Sequence, residues 1–196
     1  MTRIAVLRHG PTDWNAAKRL QGRADPPLGA DARQALAGLK VPAAFEGAAW
    51  HASPLARARE TAELLGARAL RIEPRLIEMD FGAYEGRTLA ELRQSLGPEM
   101  AANEARGLDF QPPAGESPRQ VQKRLRPWLA ACAEAGGAHL AVTHKGVIRA
   151  LVSLACGWDM RDKAPYRLDW QALHVFTLDD AGSPRPERMN LPLERR

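Results

Sequence analysis

The sequence predicts an α/β fold with a mostly parallel central sheet, and three observations carry that prediction. Short apolar, strand-like runs alternate with helical patterns along most of the chain, the arrangement expected of βαβ units. Two of those runs, Ile4–Leu7 and Leu140–Thr143, each deliver a histidine at their carboxyl end. The 196 residues, 45% of them apolar, suit a single domain spanning 1–196 with a substantial core.

In chain order, Ile4–Leu7 reads as a buried strand leading to Arg8 and His9. A polar segment closing in Arg19-Leu20-Gln21-Gly22 and a turn around Asp25-Pro26-Pro27 precede a helix from about Ala30 to Leu39. A second strand falls at Ala48 to Ala52. Ser53 then has the chemistry of an N-cap and Pro54 that of a first helical residue, for a helix through Leu65 with Arg57 in its first turn. A third strand covers Leu70 to Ile72, followed by an irregular, glycine-punctuated run from Glu78 to Gly86 and a short helix from Thr88 to Leu96.

Residues 97–115 are rich in Gly, Pro and Ala without a clean period, which reads as a lid or binding loop. Ser117-Pro118-Arg119-Gln120 has capping-box spacing and opens a long helix to about Ala135, which Gly136-Gly137 ends. Leu140–Thr143 is a buried strand delivering His144-Lys145-Gly146, and Val147 to Cys156 is an apolar-rich helix. Leu173–Leu178 is the last strand expected. From Asp179 on, with Pro184, Pro186 and Pro192, the tail is expected to be extended or loosely attached.

A net charge of +5 and a pI near 9.7 would suit nucleic acid, but the basic residues are scattered, and an anionic small substrate explains them as well. No apolar stretch reaches the length of a membrane span, and the chain enters strand-like sequence at once, so a cytoplasmic protein without membrane or nucleic-acid partners is expected. Cys132 and Cys156 lie in different predicted helices without metal-type spacing and read as reduced, packed thiols. His51, His139 and His174 match no motif, and the five histidines show no metal-ligand spacing. Trp14, Trp50, Trp128, Trp158 and Trp170 read as core. Neither repeats nor heptads indicate an oligomeric state.

An Arg-His pair at the carboxyl end of a strand stands where open α/β sheets bind ligands. Several further segments accompany it: Arg8-His9-Gly10 with Thr12, Trp14 and Asn15, then Arg19-Leu20-Gln21-Gly22, Ser53-Pro54-Leu55-Ala56-Arg57-Ala58-Arg59-Glu60-Thr61-Ala62, Glu78 with Phe81-Gly82 and Glu85-Gly86, and Thr143-His144. In order and spacing they resemble the histidine phosphatase superfamily, in the branch of cofactor-dependent phosphoglycerate mutase and its phosphatase relatives. The resemblance covers most of the chain and implies a three-layer α/β/α sandwich.

It also implies roles. His9 would be the nucleophile that becomes phosphohistidine, with Arg8, Arg57, Asn15 and His144 around the transferred phosphoryl group and Glu78 as general acid, then base. An imidazole attacks phosphorus only when unprotonated, and two neighbouring guanidinium groups both favour that state and bind phosphoryl oxygens. Fixed cations and amide donors can supply the charge stabilisation without metal, so no metal and no cofactor are expected. Thr12, Gln21, Gly22 and Lys145 complete the expected phosphate and substrate contacts. Pro11 stands where relatives commonly have Glu or Gln, and Lys145 where many have glycine, adding a cation at the site or pointing to solvent. An Arg two residues after Gly10, the mark of the acid-phosphatase and phytase branch, is absent.

The segment between the acid and the second histidine is shorter than the insertion with which mutases of the family enclose their substrate. A shorter cover favours hydrolysis. The reading is therefore a metal-independent phosphatase of a small phosphorylated metabolite, with α-ribazole 5′-phosphate and sugar phosphates as possibilities. The alternatives are a cofactor-dependent phosphoglycerate mutase and a non-catalytic phospho-ligand-binding module.

Overall fold

Alternation along β1 (Thr2–Arg8) sets up the layers. Ile4 and Val6 join one apolar cluster and Ala5 and Leu7 another, all essentially fully buried. A strand apolar on both faces has to be covered on both. The computed structural model describes all 196 residues. In it, β5 (Ala138–Thr143) and β6 (Leu173–Leu178) alternate like β1: Ala141, Phe176 and Leu178 face the first cluster, Leu140, Val142, Leu173 and Val175 the second. The first face is covered by α6 (Pro118–Ala135) and α7 (Lys145–Cys156), through residues such as Leu125, Trp128, Ile148 and Leu151. After the single turn α1 (Asp13–Ala16), α2 (Ala30–Ala37) and α3 (Ala56–Leu64) cover the second, through Leu36, Ala58 and Ala62. The three-layer α/β/α sandwich is the observed architecture.

With β3 (Ala49–Ala52), β4 (Leu70–Ile72) and β7 (Pro184–Leu191), these strands form one sheet in the order β4-β3-β5-β1-β6-β7. The first four are mutually parallel, and β6 and β7 run antiparallel. From β1 the chain departs toward the layer of α2 and α3. From β5 it departs toward α7 on the other face, so the crevice at the carboxyl ends of β1 and β5 is a topological switch point. No helix is long and apolar enough to cross a membrane.

Five sequence expectations need correcting. Ser53-Pro54 does not open α3; Leu55 is its N-cap, because the Ser53 hydroxyl is drawn to His144 instead. Residues 97–115 are not a structureless loop. They contain α5 (Pro98–Glu104), with Pro98 at its first position, and a 3₁₀ turn at Gly107–Asp109. Met100 of α5 is buried against Tyr84 and against Leu92 of α4 (Leu89–Leu96), and Arg93–Glu104 and Arg119–Asp109 pairs pin the segment's ends. The tail is not loose either: β7 pairs with β6, and β8 (Glu194–Arg195) pairs with β2 (Leu39–Lys40). Of the tryptophans expected in the core only Trp50 and Trp128 are buried, whereas Trp14, Trp158 and Trp170 are half-buried. Cys156, expected to be packed, is exposed at the last residue of α7. The remaining elements fall within a few residues of expectation; the predicted box at Ser117–Gln120 caps α6, and a second box, Thr88–Glu91, caps α4. Each such cap contributes about 1 kcal/mol.

Candidate active site

The titratable groups singled out in the sequence converge at the carboxyl end of the parallel strands. His9 follows β1 directly, His144 follows β5 and caps α7, Ser53 follows β3, and Glu78 lies beyond β4. Strand edges and helix starts are stiff, so the geometry is preset by the sandwich.

His9 is 5% exposed. Its Nδ1 lies 2.7 Å from the carbonyl oxygen of Gly10. A carbonyl only accepts, so Nδ1 carries the proton and Nε2 keeps the lone pair. Burial first, then the Arg57 and Arg8 guanidinium groups, push the ring's pKa down to about 3, so it is neutral at physiological pH. The Gly10 N–H donates to Thr61 Oγ1 at 2.9 Å, and that hydroxyl donates to the Arg57 carbonyl at 2.7 Å, tying the His9 loop to α3.

The His144 ring stands 5.1 Å from that of His9, centroid to centroid. Its Nε2 lies 2.7 Å from Ser53 Oγ. That hydroxyl also accepts the Leu55 N–H at 3.3 Å, and with one proton and two lone pairs it can serve His144 Nε2 as donor or acceptor while holding the ring in place. Nδ1 is buried and has no protein partner. Burial above all, with His9 and Arg57 next, holds His144 well below the usual imidazole range.

Arg57 is fully buried. It donates to the Gly22 carbonyl at 3.0 Å, the Ala24 carbonyl at 2.6 Å and Asp25 Oδ1 at 3.1 Å. Asp25 Oδ2 in turn accepts the Ala56 N–H at 2.6 Å. The Nε atoms of Arg57 and Arg8 are buried without a protein partner, as is His144 Nδ1. An unpaired buried donor costs about 1–3 kcal/mol, and two guanidinium Nε–H groups left open beside His9 suit an anion with several acceptor oxygens.

Glu78 is 6% exposed, and burial raises its pKa above the usual carboxylate range. Backbone N–H groups of Met79 (2.8 Å) and Gly146 (3.2 Å) and the two arginines pull the other way. Position 146 must be glycine: a Cβ there would lie 2.5 Å from Glu78 Oε1. Arg124 holds the strand-to-acid segment by donating to the carbonyls of Arg75, Ile77 and Glu78, and pairs with Glu116.

The expected binding residues divide. Lys145 begins α7 with its ammonium 5.3 Å from the centre of the Trp170 ring, and the Arg8 guanidinium lies 5.9 Å from the same ring. Burial and Arg8 lower the Lys145 pKa. Thr12 and Asn15 are engaged with each other: the Thr12 N–H and hydroxyl both donate to Asn15 Oδ1, at 3.0 and 3.2 Å. Gln21 is buried with its carbonyl oxygen unpartnered, and Gly22 contributes its backbone carbonyl to Arg57. The 21–25 loop thus works as the socket of Arg57. Two residues went unnoticed in the sequence: Ser53, read as a helix cap, and Trp170, which sits in a turn with no motif around it.

Comparison with known proteins identifies the family and the fold. The profile of the histidine phosphatase superfamily (branch 1) matches residues 4–192. A protein named probable phosphoglycerate mutase GpmB, from Escherichia fergusonii, is 33% identical over 168 residues, covering 80% of this chain and 76% of that one. Among solved structures, Bacillus stearothermophilus YhfR superposes with a TM-score of 0.81 at 26% identity, covering 99% of this chain and 98% of that chain. The mycobacterial glucosyl-3-phosphoglycerate phosphatase Rv2419c, solved with VO3, gives 0.78 at 26% identity, covering 96% and 98%.

Proposed function

Because the chain belongs to the histidine phosphatase superfamily (branch 1), we propose that it hydrolyses small phosphomonoesters through a phosphohistidine on His9, without a metal or cofactor in the reaction. One observation carries the reading: a buried, neutral imidazole whose Nδ1 is tied to a carbonyl, so that Nε2 keeps its lone pair within the field of the Arg57 and Arg8 guanidinium groups. Nε2 attacks phosphorus, the P–O bond to the alcohol breaks, and the leaving oxygen takes the proton of the Glu78 carboxylic acid. The Glu78 carboxylate then accepts a proton from water, whose oxygen attacks phosphorus. The P–N bond breaks, releasing orthophosphate and restoring both groups. Arg8, Arg57 and His144 receive the charge on the transferring oxygens.

Hydrolysis rather than transfer is supported by the short chain between Glu78 and α6. Its two helices, α4 and α5, bury Met100 and Leu92 against Tyr84, leaving little chain to enclose a phosphohistidine. Lys145 and Trp170 beside Arg8 favour an anionic metabolite with a sugar-like body. α-Ribazole 5′-phosphate and sugar phosphates therefore head the substrate panel.

The test is phosphate release from that panel with a chelator present, for the wild type and His9→Ala, with 3-phosphoglycerate and 2,3-bisphosphoglycerate included. Release that survives the chelator and disappears in His9→Ala is the expected result. Isomerisation of phosphoglycerate without release would make the protein a mutase. Tight phosphate-analogue binding with no turnover of either kind would make it a binding module.

A further inference from the structure

Folding assembles a second chemical cluster far along the strands from His9. His51 of β3 and His139 of β5 lie on adjacent parallel strands, and the register pairs His51 with Ala141, so both imidazoles project from the face that α6 covers. From α6, Cys132 reaches the same point, and the three ligating atoms lie within 4.8 Å of one another. All three residues are buried, yet they line one cleft of about 290 Å³ together with Glu73, Arg75 and Trp128. We propose that His51, His139 and Cys132 form a zinc site, with the cleft supplying the fourth ligand position.

The polar detail is that of a ligand set. His139 Nε2 lies 3.1 Å from the Gly136 carbonyl, so it carries the proton and leaves Nδ1 as a lone pair. Metal-bound histidines are commonly oriented in this way by a carbonyl on their other nitrogen. That Nδ1 accepts a hydrogen bond from His51 Nε2–H at 3.1 Å, so on metal binding the His51 proton has to move to its own Nδ1 to free Nε2; the spacing is close to the edge of about 3.3 Å between two nitrogens on a tetrahedral zinc. The Cys132 sulfur, within 4.8 Å of both nitrogens, has to move closer to share one ion with them. Burial lowers the His51 pKa to about 4, which keeps that ring neutral as a ligand must be, and raises that of the Cys132 thiol to about 12, so metal binding has to displace its proton. Glu73 is already paired with Arg75 through two hydrogen bonds of 2.7 Å, and Arg71 also lines the cleft, so the Cys132 thiolate is the anion that meets the metal. Imidazole with thiolate is a donor set suited to Zn²⁺.

The experiment uses the full chain with Cys156→Ser, which removes the exposed thiol, after reduction and chelator treatment. One equivalent of Co²⁺ is expected to give tetrahedral ligand-field bands and a thiolate-to-cobalt charge-transfer band, both erased by one equivalent of Zn²⁺. Cys132→Ser is expected to lose the charge-transfer band, and His139→Gln to weaken Zn²⁺ binding by about 100-fold, the upper range seen even for lost outer-shell partners. Absence of a thiolate band at one equivalent, or its survival in Cys132→Ser, overturns the site. If Cys132→Ser does not fold, the zinc anomalous peak in a soaked wild-type crystal decides: between these three side chains it supports the site, elsewhere it overturns it. None of these readouts involves turnover, so they stand or fall separately from the phosphatase reading.

Discussion

Burial acts on Glu78 and His9 in opposite functional directions. The raised Glu78 pKa keeps its proton to higher pH than an ordinary glutamate, whereas His9, at about 3, stays unprotonated through the whole working range. The acid limb of kcat/KM attributable to His9 therefore lies near pH 3, and the alkaline limb follows Glu78 as it loses its proton. Glu78→Gln is expected to remove that limb and to lower turnover of alkyl phosphates by about 10²–10⁴-fold. Unchanged turnover would take the proton-transfer role away from Glu78. Ser53 is a positioning residue acting through His144. Ser53→Ala leaves a buried ring nitrogen unpartnered, which costs about 1–3 kcal/mol, or roughly 5- to 150-fold in kcat, with KM nearly constant. A change confined to KM would argue against this positioning role. The motif residues His9, Arg57, Glu78 and His144 were legible because their types and order carry chemistry. Ser53 and Trp170 were not, because a hydroxyl beside a proline also signals a cap, and a tryptophan in a turn has no periodic partner to place it.

At the scale of elements, the loop from Gln21 to Asp25 holds Arg57 through backbone carbonyls, which demands an unusual backbone path. Gly22 has φ +53°, and a Cβ there would fall 1.8 Å from Glu85 Oε1. That same carboxylate accepts the Arg23 N–H at 2.7 Å, with Oε2 accepting that of Ala24 at 3.0 Å. Gly22→Ala is therefore expected to cost about 1–2 kcal/mol from the left-handed backbone alone, plus the displacement of Glu85. Urea unfolding should show the loss, and activity should fall further than stability because Arg57 loses its socket. An unshifted midpoint would refute the strain argument. Strands β1 and β5 were legible as apolar runs between polar punctuation. α5 and β7 were not, since α5 buries little beyond Met100 and β7 is an edge strand of prolines and charges.

Across the whole molecule, four buried histidines set the acid side of stability. His9 is held at about 3, His51 and His174 at about 4, and His144 well below the usual range, burial leading in each case. Unfolding lets each ring take up a proton below about pH 6.5. Their contribution is complete above that value and is lost as pH falls toward 3–4, at up to about 1.4 kcal/mol per pH unit for each ring. Glu78 runs the other way: its raised value costs stability as pH rises from the ordinary glutamate range through the shifted one. The urea midpoint is expected to be lower at about pH 5 than at about pH 7, and equal midpoints would contradict neutral burial of these rings. The sandwich itself was legible from alternating runs. The meeting of His51, Cys132 and His139 was not, because only strand register and helix docking bring positions so far apart in sequence together.

The rim of the sheet has a consequence for self-association. β7 is its outermost strand on one side, where Pro184 and Pro186 have no N–H to offer and Arg185, Glu187 and Arg188 intersperse charge. On the other side β4 is only three residues long. Neither border can template an incoming strand, which is how soluble sheets avoid edge-to-edge growth into fibres. Two copies of this chain would thus have to meet through their helical layers or loops, and a crowded solution of the folded protein is protected against cross-β assembly by its own margins.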